Sequence, residues 1–225
     1  QTSFWSGYRN TIIYTVLGTA LSLIMTTMCS YALEKKTLVG RVVITKLIIF
    51  TMYFSGGLVP TYLLVKSLKM VDTIWAILLP GCIAPYHILL MRTYFSQLPE
   101  ALEEAAEIDG MNQFQYLFRV ALPLSKPIIA TIALFSAVIY WNDWFQAVIY
   151  LIDNKKYPVT LYLRNIMMGS AMAAQSGEAL DSNARAVPQS LQAASMLLVI
   201  LPVMCVYPFV QKHFVRGVML GAVKG

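Results

Sequence analysis

Long apolar stretches separated by short polar connections are the dominant pattern along this chain. A helix needs about 20 mostly apolar residues to cross the hydrocarbon core of a bilayer. Five stretches come close to or reach this length, and we predict a membrane-spanning helix in each, at about residues 10–33, 42–65, 73–95, 127–152 and 191–210. The pattern therefore predicts an all-α integral membrane protein in which residues 1–225 form a single transmembrane domain.

Two of the predicted spans contain residues that interrupt a helix. The second holds Ser55-Gly56-Gly57 and Pro60, and the third holds Pro80, Gly81 and Pro85. Proline removes a backbone donor, and small residues allow two helices to approach closely. We therefore expect a kink or a close helix contact within the second span.

Composition supports a membrane protein and excludes one other class. Of the 225 residues, 58% are hydrophobic and only 12% are charged, whereas soluble domains carry about 25% charged residues. The net charge of +6 does not indicate nucleic-acid binding, because the basic residues are scattered at the ends of apolar stretches and no nucleic-acid motif is present. Such flanking residues are typical helix anchors at the headgroup level.

The distribution of lysine and arginine predicts the orientation of the spans. More basic residues flank the side that carries connections 34–41 and 97–126 than the side that carries 153–189. We therefore place connection 97–126 in the cytoplasm and connection 153–189 outside the cell. The start of the chain then lies outside, so a sixth span is expected before Gln1.

The connection 97–126 has the pattern of two short helices. In the first, Pro99 suits the first turn and Gly110 suits the end of the helix. Its apolar positions Leu102, Ala105 and Ala106 share one face, which we interpret as a small docking surface for a partner protein.

The second helix of this connection begins with a capping pattern. Asn112 and Gln115 have the spacing of a capping box. The apolar residues that follow are predicted to share one face, namely Phe114, Leu117, Phe118 and Ala121. Pro123 and Pro127 are predicted to end this helix before the next span.

The residues of this connection also carry a family resemblance. The spacing of Glu104, Ala105, Ala106, Gly110, Val120, Leu122 and Pro123 resembles the EAA loop of bacterial ABC importer permeases. The tail Gly221–Gly225 and the stretches Phe54–Leu68 and Tyr140–Phe145 are similar to the maltose-type carbohydrate permeases, within them to the subgroup for polysaccharide or complex oligosaccharide uptake. The resemblance implies a MalG-like ABC importer transmembrane domain in the bacterial cell membrane.

This resemblance implies a set of partners and a role for the loop. Such a permease pairs with a second permease subunit in the lipid bilayer, receives an oligosaccharide from an extracellular solute-binding protein, and is driven by two cytoplasmic ATPase subunits. The partners then bind ATP and magnesium, and this chain holds no cofactor. The residues implied in ATPase coupling are Glu103, Glu104, Ala105, Ala106, Asp109, Gly110, Leu122 and Pro123.

No catalytic or metal-binding pattern is visible in the sequence. It lacks a Gly-rich phosphate loop of the Walker type. His87 and His213 each stand alone, and the cysteines lie singly inside apolar stretches, at Cys29, Cys82 and Cys205. We therefore expect a permease without enzymatic activity of its own.

Polar residues inside the predicted spans are candidates for the substrate pathway, because a charge at the bilayer centre costs about 2.5–3.5 kcal/mol. The fourth span contains Tyr140, Trp141, Asn142, Asp143 and Trp144, and the second contains Tyr53. Amide and carboxylate groups hydrogen-bond sugar hydroxyls, and aromatic rings stack on sugar faces. The alternative is structural: hydrogen bonds between helices, an interfacial aromatic belt, and close packing near Gly56-Gly57.

Three other functions are compatible with part of the pattern. An ABC permease for a non-sugar solute would share the EAA loop, although the tail and the fourth span argue against it. A secondary transporter that works alone often has internal repeats, and none is evident in the sequence. A membrane enzyme is disfavoured because no catalytic group of residues appears.

Overall fold

The computed structural model describes residues 2–175 and, beyond them, only residues 193, 197, 200–202 and 204. Within residues 2–175 the chain is helical, with turns between helices and no strand. Most of the predicted span 191–210 lies outside the described residues, as do Cys205, His213 and the tail Gly221–Gly225.

Helix α1, Thr2–Glu34, is the longest element, with 33 residues. The first span was expected to begin at about residue 10, but the helix begins earlier. Its additional turns are held by aromatic contacts, because Phe4 and Tyr8 pack edge-to-face and Phe4 also contacts Tyr162. At 1.5 Å per residue it is about 50 Å long, which exceeds the ~30 Å hydrocarbon core. Among the described residues, it is the one continuous helix long and apolar enough to cross a membrane.

Small polar residues line the buried side of α1. Ser22 lies 3.1 Å from Ser136 between their Oγ atoms, and Ser30 donates to the Ile88 carbonyl at 3.0 Å. Gly18 faces the ring of Tyr140 so closely that a Cβ there would lie 2.6 Å from a ring atom. In a bilayer, such small residues permit close helix packing, here of α1 against helices α5 (Pro85–Phe95) and α9 (Lys126–Asn142).

The second predicted span is two helices with a sharp bend. Helices α2 (Arg41–Tyr53) and α3 (Leu58–Ser67) meet at 116°. Gly57 has φ of +86°, which favours glycine. Among the described residues, no atom outside the immediate backbone lies within 4 Å of a Cβ built at Gly56 or Gly57. Of the two alternatives, the structure therefore shows the kink, without a close contact to the described part of the chain.

The third and fourth predicted spans are also interrupted. Helix α4 (Trp75–Leu78) is short and ends before Pro80, and α5 starts at Pro85. Helix α9 ends at Asn142, and α10 (Phe145–Tyr150) follows after a break at Asp143-Trp144. Helix α9 is preceded by α7 (Gln113–Tyr116), a π-helical turn (Leu117–Ala121) and α8 (Leu122–Leu124), and the segment Gln113–Leu124 meets it at 83°.

The connections gather at the two ends of the bundle. We call the end of the bundle that carries α6 (Glu100–Ile108) and α7 the lower end. Lys35 and Lys36, which follow α1, contact α6 there. The opposite, upper end carries a 3-10 turn (Asn154–Lys156) and α11 (Val159–Gln175). Each end has its own buried apolar cluster. The upper cluster includes Tyr14, Ile77 and Tyr150, and the lower cluster includes Met91, Phe95 and Tyr116.

Asp72 joins two connections at the upper end. Its carboxylate accepts hydrogen bonds from the backbone N–H groups of Ile152 (3.0 Å) and Asp153 (3.1 Å), and from Lys156 Nζ at 2.6 Å. These contacts, first that with Lys156, lower the pKa of Asp72 from 3.8 to about 2. The carboxylate is therefore ionised throughout the physiological pH range.

Candidate functional site

Helix α6 at the lower end is closed at its C-terminus by a Schellman motif. Gly110 has φ of +72°, its N–H donates to the Glu107 carbonyl at 3.0 Å, and the Met111 N–H donates to the Ala106 carbonyl at 2.9 Å. The predicted helix Glu100–Asp109 ended by Gly110 is confirmed, with Asp109 as the capping residue.

The capping box at the start of α7 is also confirmed. The Gln115 N–H donates to Asn112 Oδ1, and the Asn112 N–H donates to Gln115 Oε1, both at 2.9 Å. These two bonds satisfy donors that a helix start otherwise leaves unpaired. The turn between α6 and α7 is therefore fixed on both sides by local hydrogen bonds.

The predicted apolar face of the second helix is wrong. Leu117 and Ala121 are buried, whereas Phe114 and Phe118 are exposed. The buried face instead includes Tyr116, which packs with Phe95 and Tyr31 in the lower cluster. Because this segment is apolar on most sides, its periodicity did not identify which side meets the core.

The predicted docking face of α6 needs a similar correction. Ala106 is buried against the lower cluster of this chain, so it does not share an outward face with Ala105. Leu102 and Ala105 are exposed, as are most side chains of α6. Among the exposed side chains, Ala101, Glu104, Ala105 and Ile108 are spaced at i, i+3, i+4 and i+7 and form one outward stripe. Ile108, which the sequence did not single out, has 87% of its surface exposed.

The inward side of α6 is held to α1 by a polar network, which we call the Lys35 network. Lys35 Nζ lies 2.5 Å from Glu103 Oε1, and it lies 4.6 Å from the ring centroid of Tyr31 and 5.3 Å from that of Tyr116. Gln113 closes the network, because its Nε2 donates to Glu103 Oε1 (3.2 Å) and its Oε1 accepts from the Tyr31 hydroxyl (2.6 Å). Burial lowers the pKa of Lys35, but the hydrogen bonds to Glu103 and Tyr31 outweigh burial and raise it overall.

A second ion pair lies beside this network in a different environment. Lys36 Nζ is also 2.5 Å from Glu100 Oε1, but the two side chains are 77% and 76% exposed. The side chains of Lys35 and Glu103 are only 16% and 30% exposed. Exposed pairs are screened by water and contribute little to stability. The partly buried pair therefore has the stronger claim to fix α6 on the bundle.

Comparison with known proteins identifies the family. The family model for the binding-protein-dependent transport system inner membrane component matches residues 3–220. The chain belongs to this family of permeases. This confirms the expected MalG-like fold class, the role as a permease subunit of an ABC importer, and the location in the membrane.

Similar permeases and a solved structure extend this result. Protein LplC of Bacillus subtilis (strain 168) is 45% identical over 214 residues, which cover 95% of this chain and 72% of the relative. The polygalacturonan/rhamnogalacturonan transport system permease protein YtcP of the same organism is 41% identical, with 95% and 75% covered. The crystal structure of a bacterial ABC transporter involved in the import of the acidic polysaccharide alginate matches with a TM-score of 0.85 and 35% identity, covering 95% of this chain and 76% of that one.

The residues predicted to take part in ATPase coupling divide into two groups in the structure. Glu104, Ala105, Asp109, Gly110 and Pro123 are exposed. The remaining three turn toward the chain itself, with Ala106 buried and Glu103 and Leu122 half-buried. The contact of these residues with an ATPase stays a prediction.

The pathway candidates on α9 are largely engaged within the permease. Tyr140 is buried, and its hydroxyl donates to the Leu78 carbonyl at 2.9 Å. Trp141 is also buried. Asn142 is exposed and donates to the Val138 carbonyl one turn earlier at 2.8 Å.

The other pathway candidates lie in two separate places. Asp143 Oδ1 accepts from the Gln146 N–H at 3.1 Å and so caps the start of α10. The ring of Trp144 is covered by the Arg164 guanidinium, 3.5 Å from the ring centroid. Tyr53 lies at the end of α2 and is exposed. Their contact with a substrate stays a prediction.

The described residues also bear on metal binding. Among them, no group of three or more histidine, cysteine or acidic side chains is arranged to hold a metal ion. His87 is buried and stacks on Phe135 with a centroid distance of 5.9 Å, and Cys82 is buried as well. Both have the surroundings of packing residues.

Proposed function

We propose that this permease moves an oligosaccharide into the cytoplasm, paired with a second permease subunit and driven by two separate cytoplasmic ATPase subunits through α6. An extracellular solute-binding protein delivers the sugar at the upper end, and the lower end faces the cytoplasm. The observation that carries the proposal is the outward stripe of α6, which comprises Ala101, Glu104, Ala105 and Ile108.

The stripe suits docking because it combines small side chains with one protruding apolar residue. Ala101 and Ala105 leave the helix surface shallow, and Ile108 extends from its end with little cover from the chain. A partner can therefore approach the helix backbone and bury Ile108 in a pocket, as in other helix-in-groove interfaces. The Schellman motif fixes the C-terminus of the helix, beside Ile108, before a partner binds.

We also propose that ATP and magnesium bind to the ATPase subunits and that this permease catalyses no reaction itself. The sequence of residues 1–225 has no Walker-type phosphate loop. At the lower end, Lys35 is paired with Glu103 and Lys36 is paired with Glu100. Their arrangement supports a docking role for this end of the molecule.

The oligosaccharide assignment is supported by the relatives and by two exposed side chains. The named cargo of one relative is polygalacturonan or rhamnogalacturonan, and that of the solved structure is alginate. Of the six pathway candidates, Tyr53 and Asn142 have exposed side chains. We propose these two as the sugar contacts of this chain, with Tyr140 and Trp141 as packing residues.

The docking assignment is tested by reversing a charge on the outward stripe. In the complete transporter, Glu104→Lys is expected to lower both solute uptake and solute-stimulated ATP hydrolysis, while the permease still inserts and copurifies with its second permease. Arg119→Gln is the control, because this residue is exposed on the second helix of the same loop. Normal uptake by Glu104→Lys would contradict the assignment of α6.

The cargo is tested separately, with the purified transporter in vesicles and its solute-binding protein. ATP hydrolysis is measured with neutral oligosaccharides, uronic-acid oligosaccharides, amino acids and phosphonates. We expect stimulation by one of the oligosaccharide classes. Stimulation by an amino acid or phosphonate alone would retain the ABC permease and reject the sugar.

A further inference from the structure

Helix α6 and helix α1 are far apart along the chain but joined in space. Lys35 and Glu103 are separated by 68 residues. Between them lie α2, α3, α4 and α5, with the 116° bend between α2 and α3. A displacement of α6 therefore has no short covalent route to α1. It reaches α1 through non-covalent contacts, either directly or by way of α5, which the segment 96–99 joins to α6.

The Lys35 network supplies such a contact in a closed form. Tyr31 and Lys35 come from α1 and the residue after its end, Glu103 comes from α6, and Gln113 comes from α7. The links Lys35–Glu103, Glu103–Gln113 and Gln113–Tyr31 form a chain that returns to α1. Because Lys35 also lies over the Tyr31 and Tyr116 rings, its ammonium group has three partners and a restricted position.

At its other end, α1 is joined to the upper connection that precedes α11. Asn10 Nδ2 donates to the carbonyls of Lys155 (2.7 Å) and Tyr157 (3.2 Å). The Tyr14 hydroxyl donates to the Lys156 carbonyl (2.8 Å), and Thr11 Oγ1 accepts from the Val159 N–H (2.9 Å). Between these ends α1 is continuous and contains no proline, so it can move as one rigid element.

We propose that Lys35 is a positioning residue that joins α6 to α1, so that movement imposed on α6 by an ATPase passes directly into α1 and to the connection 153–159 at its upper end. The proposal rests on the proposed docking of an ATPase on α6. It adds that α1 receives the movement directly, beside α5, which the short segment 96–99 joins to α6, and that a single partly buried ammonium group makes the connection to α1.

The neighbouring pair of Lys36 and Glu100 provides a matched control within the chain. It joins the same two segments at the same 2.5 Å distance, but both side chains are largely exposed. Lys36→Met removes the same charge from the adjacent position. A difference between Lys35→Met and Lys36→Met therefore reports the connected network and not the net charge of the lower end.

The test uses the complete transporter in vesicles with its solute-binding protein. Lys35→Met is expected to reduce solute-stimulated ATP hydrolysis by about fivefold or more, the usual size of a coupling between two sites, while unstimulated hydrolysis and subunit composition stay unchanged. Lys35→Arg is expected to restore part of the stimulation, and Lys36→Met to behave as the parent. Equal stimulation in Lys35→Met and Lys36→Met would overturn the proposal.

A second measurement decides the matter if Lys35→Met fails to assemble. Spin labels are placed at Met28 on α1 and Phe114 on α7, both exposed, in a variant without the native cysteines. The distance between the labels is expected to stay constant between nucleotide-free and ATP-bound transporter, because the two helices move together. A clear shift between these states would overturn the proposal.

These outcomes are separable from those of the proposed docking. If Glu104→Lys is normal while Lys35→Met loses stimulation, the docking on α6 is rejected, and the role of Lys35 in passing on movement of α6 is rejected with it, although Lys35 is needed for stimulation. If Glu104→Lys is inactive while Lys35→Met is normal, α6 is the docking helix and the movement reaches the bundle by another route, which rejects the role of Lys35.

Discussion

The two ends of helix α1 are held by different chemistry. At the upper end, Asn10 and Tyr14 donate to backbone carbonyls of residues 155–157. At the lower end, Lys35 and Tyr31 bind the side chains of Glu103 and Gln113. Backbone acceptors are present whatever residue occupies the position, whereas side-chain partners are lost by a single substitution. The upper contact therefore depends on the side chains of α1 alone, whereas the lower contact depends on the side chains of both segments that meet there.

The largest effect is expected from a substitution that moves α1 at its centre and disturbs both ends together. Gly18→Val places a side chain where a Cβ already lies 2.6 Å from the Tyr140 ring. Overpacking costs about 1–3 kcal/mol or more, so we expect little assembled transporter in detergent, measured by size-exclusion chromatography. Gly169→Ala is the control, since no atom of the described residues lies within 4 Å of its Cβ position. Normal assembly of Gly18→Val would contradict the packing of α1 on α9.

A smaller effect is expected from breaking the upper end alone. Asn10→Leu leaves the carbonyls of Lys155 and Tyr157 without this donor, at a cost of about 1–3 kcal/mol for an unsatisfied buried group. We expect a lower unfolding temperature and faster hydrogen exchange in residues 152–160, with residues 100–121 unchanged. Lys155→Ala is the matched control, because its carbonyl and not its side chain accepts the bond. If Lys155→Ala destabilised the protein as much as Asn10→Leu, the upper contact would depend on the side chains of both partners, as the lower contact does.

The smallest effect is expected from Asp72→Asn, which removes only the negative charge that faces Lys156 at the upper end. Asp72 has φ of +61°, a conformation that asparagine tolerates. The pKa of Asp72 falls from 3.8 to about 2 on folding, so its contribution is complete above 3.8 and is lost as the pH falls toward about 2. We expect the unfolding temperature to drop by a few degrees, by the same amount at every pH between 5 and 8. A difference that shrinks within that range would contradict the low pKa.

The elements of the lower loop were predictable because their signals are local. Gly110 ends α6 through its own backbone conformation, and Asn112 and Gln115 bind each other across three residues. Such contacts form within one turn and depend on residue type and spacing alone. The faces of the same helices were not predictable, and Ala106, Phe114 and Phe118 were placed on the wrong side.

Lys35 shows that prediction from the sequence has the same limit at the candidate site. In the sequence it is one of several basic residues in a short connection and indicates only the orientation of a span. Its role depends on Glu103 and Tyr116, which are distant in sequence and meet it only when α5 and α9 pack against α1. The break at Ser55-Gly56-Gly57 was visible as a helix interruption, but its 116° angle was not.

The sequence by itself determined that this chain is a helical membrane permease with a two-helix loop, since apolar length, helix caps and motif spacing are properties of neighbouring residues. The tertiary structure decided which side of α6 faces outward, which of two adjacent lysines is covered, and which element α6 is joined to. The physical reason is that burial and the choice of ion-pair partner arise from the packing of helices remote in sequence, and this packing turned Glu103 inward to Lys35 while it left Glu100 in water.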